Sequence, residues 1–316
     1  MCDAVSSSFL DRAAGVLAGQ FCGDSYGSQY EFMRASDIAV KMASHGAMAF
    51  GRSYVMDTLP GQLTDDSELA LALLRSIVES GGYSAESARR KYREWLDSKP
   101  FDVGITTMNA LNGVYDIKSQ ANGAMMRLSP LCIWLAAHTE RNSFQTADEF
   151  AAADAAVTHP NEICVQANVL FARCVVSMLR DGLSADGVMQ ALPVWCDEIG
   201  ADSVFFDIAD AAGRSLPEDF VTHMGWVLIA FHNALYRLVH ADSPASGIIE
   251  TVRCGGDTDT NAAIAGVLLG ARFGCAAFPR SWIDFVENCR PGGNVPRPAI
   301  FHAGDIGSLV SSLADM

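Results

Sequence analysis

Apolar positions recur at helical spacing along most of the chain. The pattern predicts helices over Ala4 to Cys22, Ser67 to Ser80, Ser84 to Leu96, Met125 to His138, Glu162 to Leu179, Phe220 to Val239 and Asn261 to Phe273, since residues three and four apart share one helix face. Strand-like alternation is scarce. Gly81-Gly82, Lys99-Pro100, Gly182 and Gly274 fall where these patterns end and act as stops. An all-α fold follows. No fixed-period repeat, low-complexity linker or charge block divides the chain, so residues 1–316 read as a single domain. The longest stretch without periodicity, Gly23 to Leu63, is rich in Gly, Ser and isolated aromatics; it is expected to be a long loop that covers a substrate or meets a partner.

Half of the 316 residues are hydrophobic, enough for a sizeable core. The formal charge of −15, from 22 Lys and Arg against 37 Asp and Glu, excludes a general nucleic-acid binder, which needs a basic face. An anionic substrate would need local help from bound cations or a few placed arginines. The nine cysteines are odd in number and scattered, with no CxxC pair. They predict reduced thiols and a cytoplasmic protein. Asp3, Asp11 and Arg12 interrupt any secretory signal, and the apolar tract Ala262 to Gly270 is about half the roughly 18 residues of a membrane span. No membrane partner is expected.

Two acidic clusters carry candidate chemistry. Gly61-Gln62-Leu63-Thr64-Asp65-Asp66-Ser67-Glu68 precedes an apolar helix, and capping explains it well alone: Thr64 or Asp65 suits an N-cap, and Asp65 with Glu68 fits a capping box. Cys254-Gly255-Gly256-Asp257-Thr258-Asp259-Thr260-Asn261 also enters an apolar helix. A cap uses one acceptor, which leaves the second carboxylate unexplained, and the glycines let the backbone bend around a centre. Together Thr64, Asp65, Asp66, Asp257, Asp259 and Thr260 form a hard, all-oxygen set suited to Mg²⁺ or Mn²⁺ rather than zinc. The set is large enough to bridge two ions about 3.5–4 Å apart. Neither cluster has the EF-hand loop pattern.

These residues resemble the ADP-ribosylglycohydrolase family. Gly15-Val16-Leu17-Ala18-Gly19 through Gly23-Asp24 and Gly27 is similar to its opening helix and GDxxG turn. The similarity continues through Glu31, Thr64-Asp65-Asp66-Ser67, Asn122-Gly123-Ala124-Met125-Met126-Arg127, Thr158-His159 and Gly256-Asp257-Thr258-Asp259-Thr260. The resemblance implies an orthogonal multi-helix bundle and a two-Mg²⁺ hydrolase of ADP-ribosylated protein side chains. Thr64, Asp65, Asp66 and Asp259 would hold one ion, and Asp257, Asp259 and Thr260 the other. It further implies substrate contacts at Glu31, Asp102, Asn122, Gly123, Met125, Arg127 and His159, and makes ADP-ribosyl-arginine the first expected linkage.

Residue chemistry alone offers plainer readings: Glu31 as a surface acid, Met125 as core, Arg127 as a structural ion pair, His159 as a cap or packed side chain. Ile105 departs from the polar residue of some arginine-specific members, and Ser67 from the usual threonine. Asp65 and Asp66 are the candidate catalytic carboxylates, with Asp66 the first choice of base, because an acid bound to one ion is a better base than one bound to two. A second reading stays open, that of an immunity or regulatory protein neutralising an ADP-ribosyltransferase by contact. The intact acidic clusters favour the enzyme, and also weigh against an inactive structural relative.

Overall fold

The computed structural model describes residues 7–53, 55–141, 143–292 and 295–316. Its helices are α1 (Ser7–Gly27), α2 (Ala35–His45), α3 (Asp65–Ser80), α4 (Ala85–Asp97), α5 (Ile105–Leu111), α6 (Ser129–His138), α7 (Gln145–Ala156), α8 (Glu162–Val176), α9 (Ala185–Glu198), α10 (Ser203–Ala211), α11 (Val227–His240), α12 (Pro244–Val252), α13 (Thr258–Phe273), α14 (Arg280–Asn288) and α15 (Ile306–Ala314). Among the described residues there is no strand, only the isolated bridges Arg34–Gly255 and Ala121–Trp226. The fold is all-α, as the periodicity requires.

The organising contact is between α1 and α13. Gly15, Gly19 and Gly23 lie four residues apart on α1, where a Cβ would run into the backbone of Gly270, Gly266 and Ala262 on α13. Gly27 meets the backbone at Thr258 and Asp259 in the same way. Without side chains between them the two backbones touch, and this contact carries the C-terminal end of α1 to the N-terminal end of α13. One buried apolar cluster surrounds the pair, from Phe9 near one end of the chain to Ala314 near the other.

Several boundaries differ from the periodic reading. Helix α1 continues to Gly27, because its glycines face a helix rather than end one; Ala4 to Ser6 lie outside the described residues. The supposed loop from Gly23 to Leu63 contains the end of α1 and all of α2, whose only buried residues are Ile38 and Met42, too few to show a period. Phe220 to Trp226 precede α11 as an irregular turn, and Met125–Arg127 forms a 3-10 turn ahead of α6. Helix α8 runs on through a π turn, Ser177–Asp181. The resulting run Glu162–Asp181 has the length and hydropathy of a membrane span, unlike the shorter tract noted in the sequence, but 83% of its apolar window is buried inside the protein. The eight described cysteines are free thiols.

Candidate active site

Neither acidic helix start is capped by its own side chain. Thr64 at the start of α3 and Asp257 at the start of α13 make no side-chain cap hydrogen bond. The cap of α3 comes instead from Asp24, one turn from the end of α1. Its carboxylate accepts hydrogen bonds from Thr64 N–H (3.1 Å), Ser67 N–H (3.2 Å) and Thr64 Oγ1 (2.9 Å). Glu68 does not close a capping box. It takes a bidentate ion pair from Arg297 (2.8 Å) and a hydrogen bond from Trp95 Nε1 (2.7 Å), both buried. With the cap of α3 supplied by Asp24, Asp65 and Asp66 are released for another use.

Asp65, Asp257 and Asp259 line a cavity of about 430 Å³. Asp66 Oδ2 accepts from Thr260 Oγ1 at 3.3 Å and lies 3.3 Å from Thr64 Oγ1, whose proton goes to Asp24, so the two helix starts meet at this carboxylate. Asp65 Oδ2 is held by Gly104 N–H (3.2 Å), Asp257 Oδ2 by Asn122 Nδ2 (2.7 Å) and Asp259 Oδ1 by Thr260 N–H (3.0 Å). Glu31 and Asp102 join them: one carboxylate oxygen each of Glu31, Asp102 and Asp259 lie within 4.8 Å of one another. Asp66 Oδ1 and Glu31 Oε2 are buried without a hydrogen-bond partner.

Such crowding is costly for charged carboxylates. Burial first, then Asp102, Asp257 and Asp24, pushes Glu31 up to about 9. Burial raises Asp24 to about 7 against the hydrogen bonds it accepts. Asp65, Asp66 and Asp259 are driven well above the usual carboxylate range by burial first and then by a neighbouring acid, Asp102, Asp65 and Glu31 respectively, and Asp102 and Asp257 are raised by burial. No Lys or Arg is among the described residues lining the cavity. Orphaned oxygens, mutual repulsion and hard hydroxyl donors fit a site completed by cations.

Most of the expected site residues meet here. Glu31, Asp65, Asp102, Asn122, Gly123, His159, Asp257, Asp259 and Thr260 line the cavity, while Thr64 and Asp66 stand behind them. Two expected substrate contacts lie elsewhere. Met125 is core, its neighbour Met126 taking the place in the wall. Arg127 is completely buried: its Nε pairs with Asp154 Oδ2 (3.1 Å) and its guanidinium stacks over Tyr92, 4.2 Å from the ring centre. Of its two open readings the structure takes the ion pair. Sequence reasoning missed the capping role of Asp24 and the wall formed by Met224-Gly225. The register Gly23-Asp24, four residues after Gly19, carried a signal for the first. For the second there was none, because it depends on Gly225 C=O accepting from Asn122 N–H (3.0 Å) across a hundred residues of chain.

Fold and site together define an all-helical protein whose buried carboxylates, among them a group able to hold a metal ion, line an open cavity. Residues 5–314 match the family described as ADP-ribosylglycohydrolase, and the chain belongs to it. A protein of Acanthamoeba polyphaga mimivirus, L543, whose name places it in the same family, is 31% identical over 307 residues, covering 88% of this chain and 92% of that one. The ADP-ribosyl-[dinitrogen reductase] glycohydrolase of Rhodospirillum rubrum is 27% identical over 286 residues, covering 88% and 90%. The ADP-ribosylarginine hydrolase Tri1 of Serratia proteamaculans is 25% identical over 301 residues, covering 88% and 76%. A solved structure titled as an ADP-ribosylglycohydrolase-related protein complex superimposes with a TM-score of 0.78 over 98% of this chain and 99% of its own, at 21% identity, and shares the fold. The chain is an enzyme of ADP-ribosyl hydrolysis.

Proposed function

We propose that this enzyme removes ADP-ribose from arginine side chains by cleaving the C1″ glycosidic bond, with Mg²⁺ or Mn²⁺ held by Thr64, Asp65, Asp66, Asp257, Asp259 and Thr260. The observation that carries this reading is the uncompensated acidity of the cavity. Glu31, Asp65 and Asp102 offer several carboxyl oxygens to a leaving group that is a cationic guanidinium, and its charge favours the ionised form that burial and crowding otherwise oppose. The Serratia relative carries the name of an ADP-ribosylarginine hydrolase, which points the same way for that protein.

Bound there, divalent cations would anchor the ribose hydroxyls and offset the carboxylate charge. The chain's own residues do the rest. Breaking the C1″–N bond builds oxocarbenium-like charge on the ribose, which the surrounding carboxylates stabilise. Asp65 is the better base on geometry than Asp66: it lines the cavity with one oxygen fixed by Gly104 N–H, whereas Asp66 is not part of the lining and holds the Thr260 hydroxyl. Asp102 and Asp65 line the same cavity, so one of the pair is placed to protonate the departing nitrogen while the other orients water. The Asn122-Gly123 turn and His159 line another part of the same wall, a place for the uncharged donors a pyrophosphate needs.

Arginine-, serine- and O-acetyl-linked ADP-ribose substrates, assayed with Mg²⁺, Mn²⁺ and chelator, test the proposal. Release of ADP-ribose from the arginine-linked substrate, abolished by chelator, is expected. Turnover restricted to the serine or acetyl linkage overturns the arginine assignment, and full turnover in chelator overturns the metal.

A further inference from the structure

Arg127 does not reach the cavity, yet its hydrogen bonds end there. Its Nε and Nη2 are taken by Asp154, at Oδ2 (3.1 Å) and at the backbone carbonyl (2.8 Å), and Tyr92 O–H holds Asp154 Oδ1 from the other side (2.7 Å). That leaves Nη1, which donates to Thr158 Oγ1 at 2.8 Å, with the Gly123 carbonyl at 3.5 Å. Thr158 Oγ1 lies in turn 2.8 Å from His159 Nδ1. All five side chains are buried.

Along this line one arrangement gives every buried proton an acceptor. An arginine only donates, so Thr158 Oγ1 must accept from it. The threonine hydroxyl has one proton, and among the described residues the acceptor found for it is His159 Nδ1; were Nδ1 the donor, that buried proton would have no partner there. Nδ1 is therefore bare, and the ring proton sits on Nε2. We propose that Arg127 and Thr158 are positioning residues that lock His159 as the neutral Nε2–H tautomer and aim that N–H into the cavity as a fixed donor for an oxygen of the bound ADP-ribose.

Two further observations agree with this assignment. Nε2 stands at the edge of Gly123: a Cβ there would lie 3.1 Å from it and 3.0 Å from Cε1, so the glycine keeps the N–H clear. Burial, with the charge of Arg127 second, holds His159 at about 3, so the ring is uncharged at neutral pH. A neutral donor suits this wall. An imidazolium would be drawn to the carboxylates across the cavity, whereas a neutral N–H offers direction without competing for them. The ligand half of the proposal rests on the ADP-ribose reading above; the tautomer half does not.

Nitrogen NMR on protein labelled at histidine separates the two halves, because protonated and bare ring nitrogens resonate far apart; His159→Gln assigns the signal. Wild type and Thr158→Ser are expected to show a bare Nδ1 and a protonated Nε2, and Thr158→Val a mixed or inverted pattern. ADP-ribose titration, monitored by calorimetry, should weaken by roughly tenfold or more in Thr158→Val and His159→Leu. It should stay within a few-fold of wild type in Thr158→Ser and in His159→Gln, whose amide nitrogen can replace Nε2. A wild-type His159 protonated at Nδ1 overturns the relay even if no variant folds. Unchanged affinity in His159→Leu overturns the donor role. A correct tautomer in a protein that binds no ADP-ribose sinks the functional reading alone.

Discussion

At the scale of the residue, the site is held together by carboxylates with different tasks. Asp65 faces the cavity, and its replacement by alanine removes both a fixed oxygen and the partner of Asp102. Turnover of an arginine-linked substrate is expected to fall roughly a hundredfold or more, the usual span for an acid or base, while folding stays intact by circular dichroism. Wild-type turnover in Asp65→Ala would remove it from the mechanism. Asp24 never touches the cavity. Its role is to hold Thr64 and Ser67 so that the α3 acids point inward, and Asp24→Asn sets an amide against N–H groups that need acceptors. Cation affinity, measured by titration, should drop roughly 10- to 100-fold, the range seen when a ligand's support is lost; equal affinity would show the cap to be dispensable. Asp257 and Asp259 were legible in the sequence because one cap cannot use two acids. Arg127 was not: an arginine beside a glycine turn serves equally as ligand contact or buried ion pair until Asp154, on a helix without strong periodicity, is seen beneath it.

At the scale of the element, the two helices that matter most were visible as helices but not as partners. Glycines at Gly15, Gly19, Gly23 and Gly27 recur every four residues, yet helical periodicity counts apolar side chains and a glycine contributes none. Their meaning appears only when α13 is laid against them. The helices that escaped the sequence reading, such as α2 and α7, bury few residues or mostly alanines, so their apolar stripe is faint. The contact predicts a sharp contrast between two equal substitutions. Gly19→Ala places a methyl group into the Gly266 carbonyl and must push α1 off α13, at a cost of about 1–3 kcal/mol or more. Gly213→Ala meets nothing within 4 Å and should change stability by less than about 0.5 kcal/mol. Urea unfolding measures both. Because α1 carries Asp24 and α13 carries Asp259, Gly19→Ala should also weaken cation binding; a destabilised Gly19→Ala with normal cation affinity would mean that the helix pair and the site are uncoupled.

At the scale of the whole molecule, the acidic cavity makes stability depend on pH and cations together. A carboxyl whose folded value lies above its unfolded one keeps a proton that the unfolded chain has lost, so folding takes up protons and stability falls as pH rises. The contribution is complete below the ordinary carboxylate range. It disappears as pH passes about 7 for Asp24, about 9 for Glu31, and through the raised values of Asp65, Asp66 and Asp259. Other groups set the window for the measurement. His159 and His232 are depressed by burial, so their effect runs the other way and is finished by about pH 7. The buried thiols Cys22, Cys132 and Cys174 are raised from an ordinary value of 9.0, so they add a loss only as the unfolded chain begins to ionise near it. Between about pH 7 and 8.5, then, the chelated protein should lose stability steadily. A cation that binds only the folded state adds RT ln(1 + [L]/Kd), about 2.7 kcal/mol at a hundredfold excess over Kd. Because it binds the deprotonated acids, its apparent affinity, and with it the gain at fixed concentration, should grow across the same interval. Thermal unfolding with EDTA and with Mg²⁺ at about pH 7 and 8.5 tests this: the two curves should diverge as pH rises. Parallel curves would mean that the protons and the cation do not compete for the same carboxylates, and the convergence of α1, α3 and α13 on one acidic cavity would need another purpose.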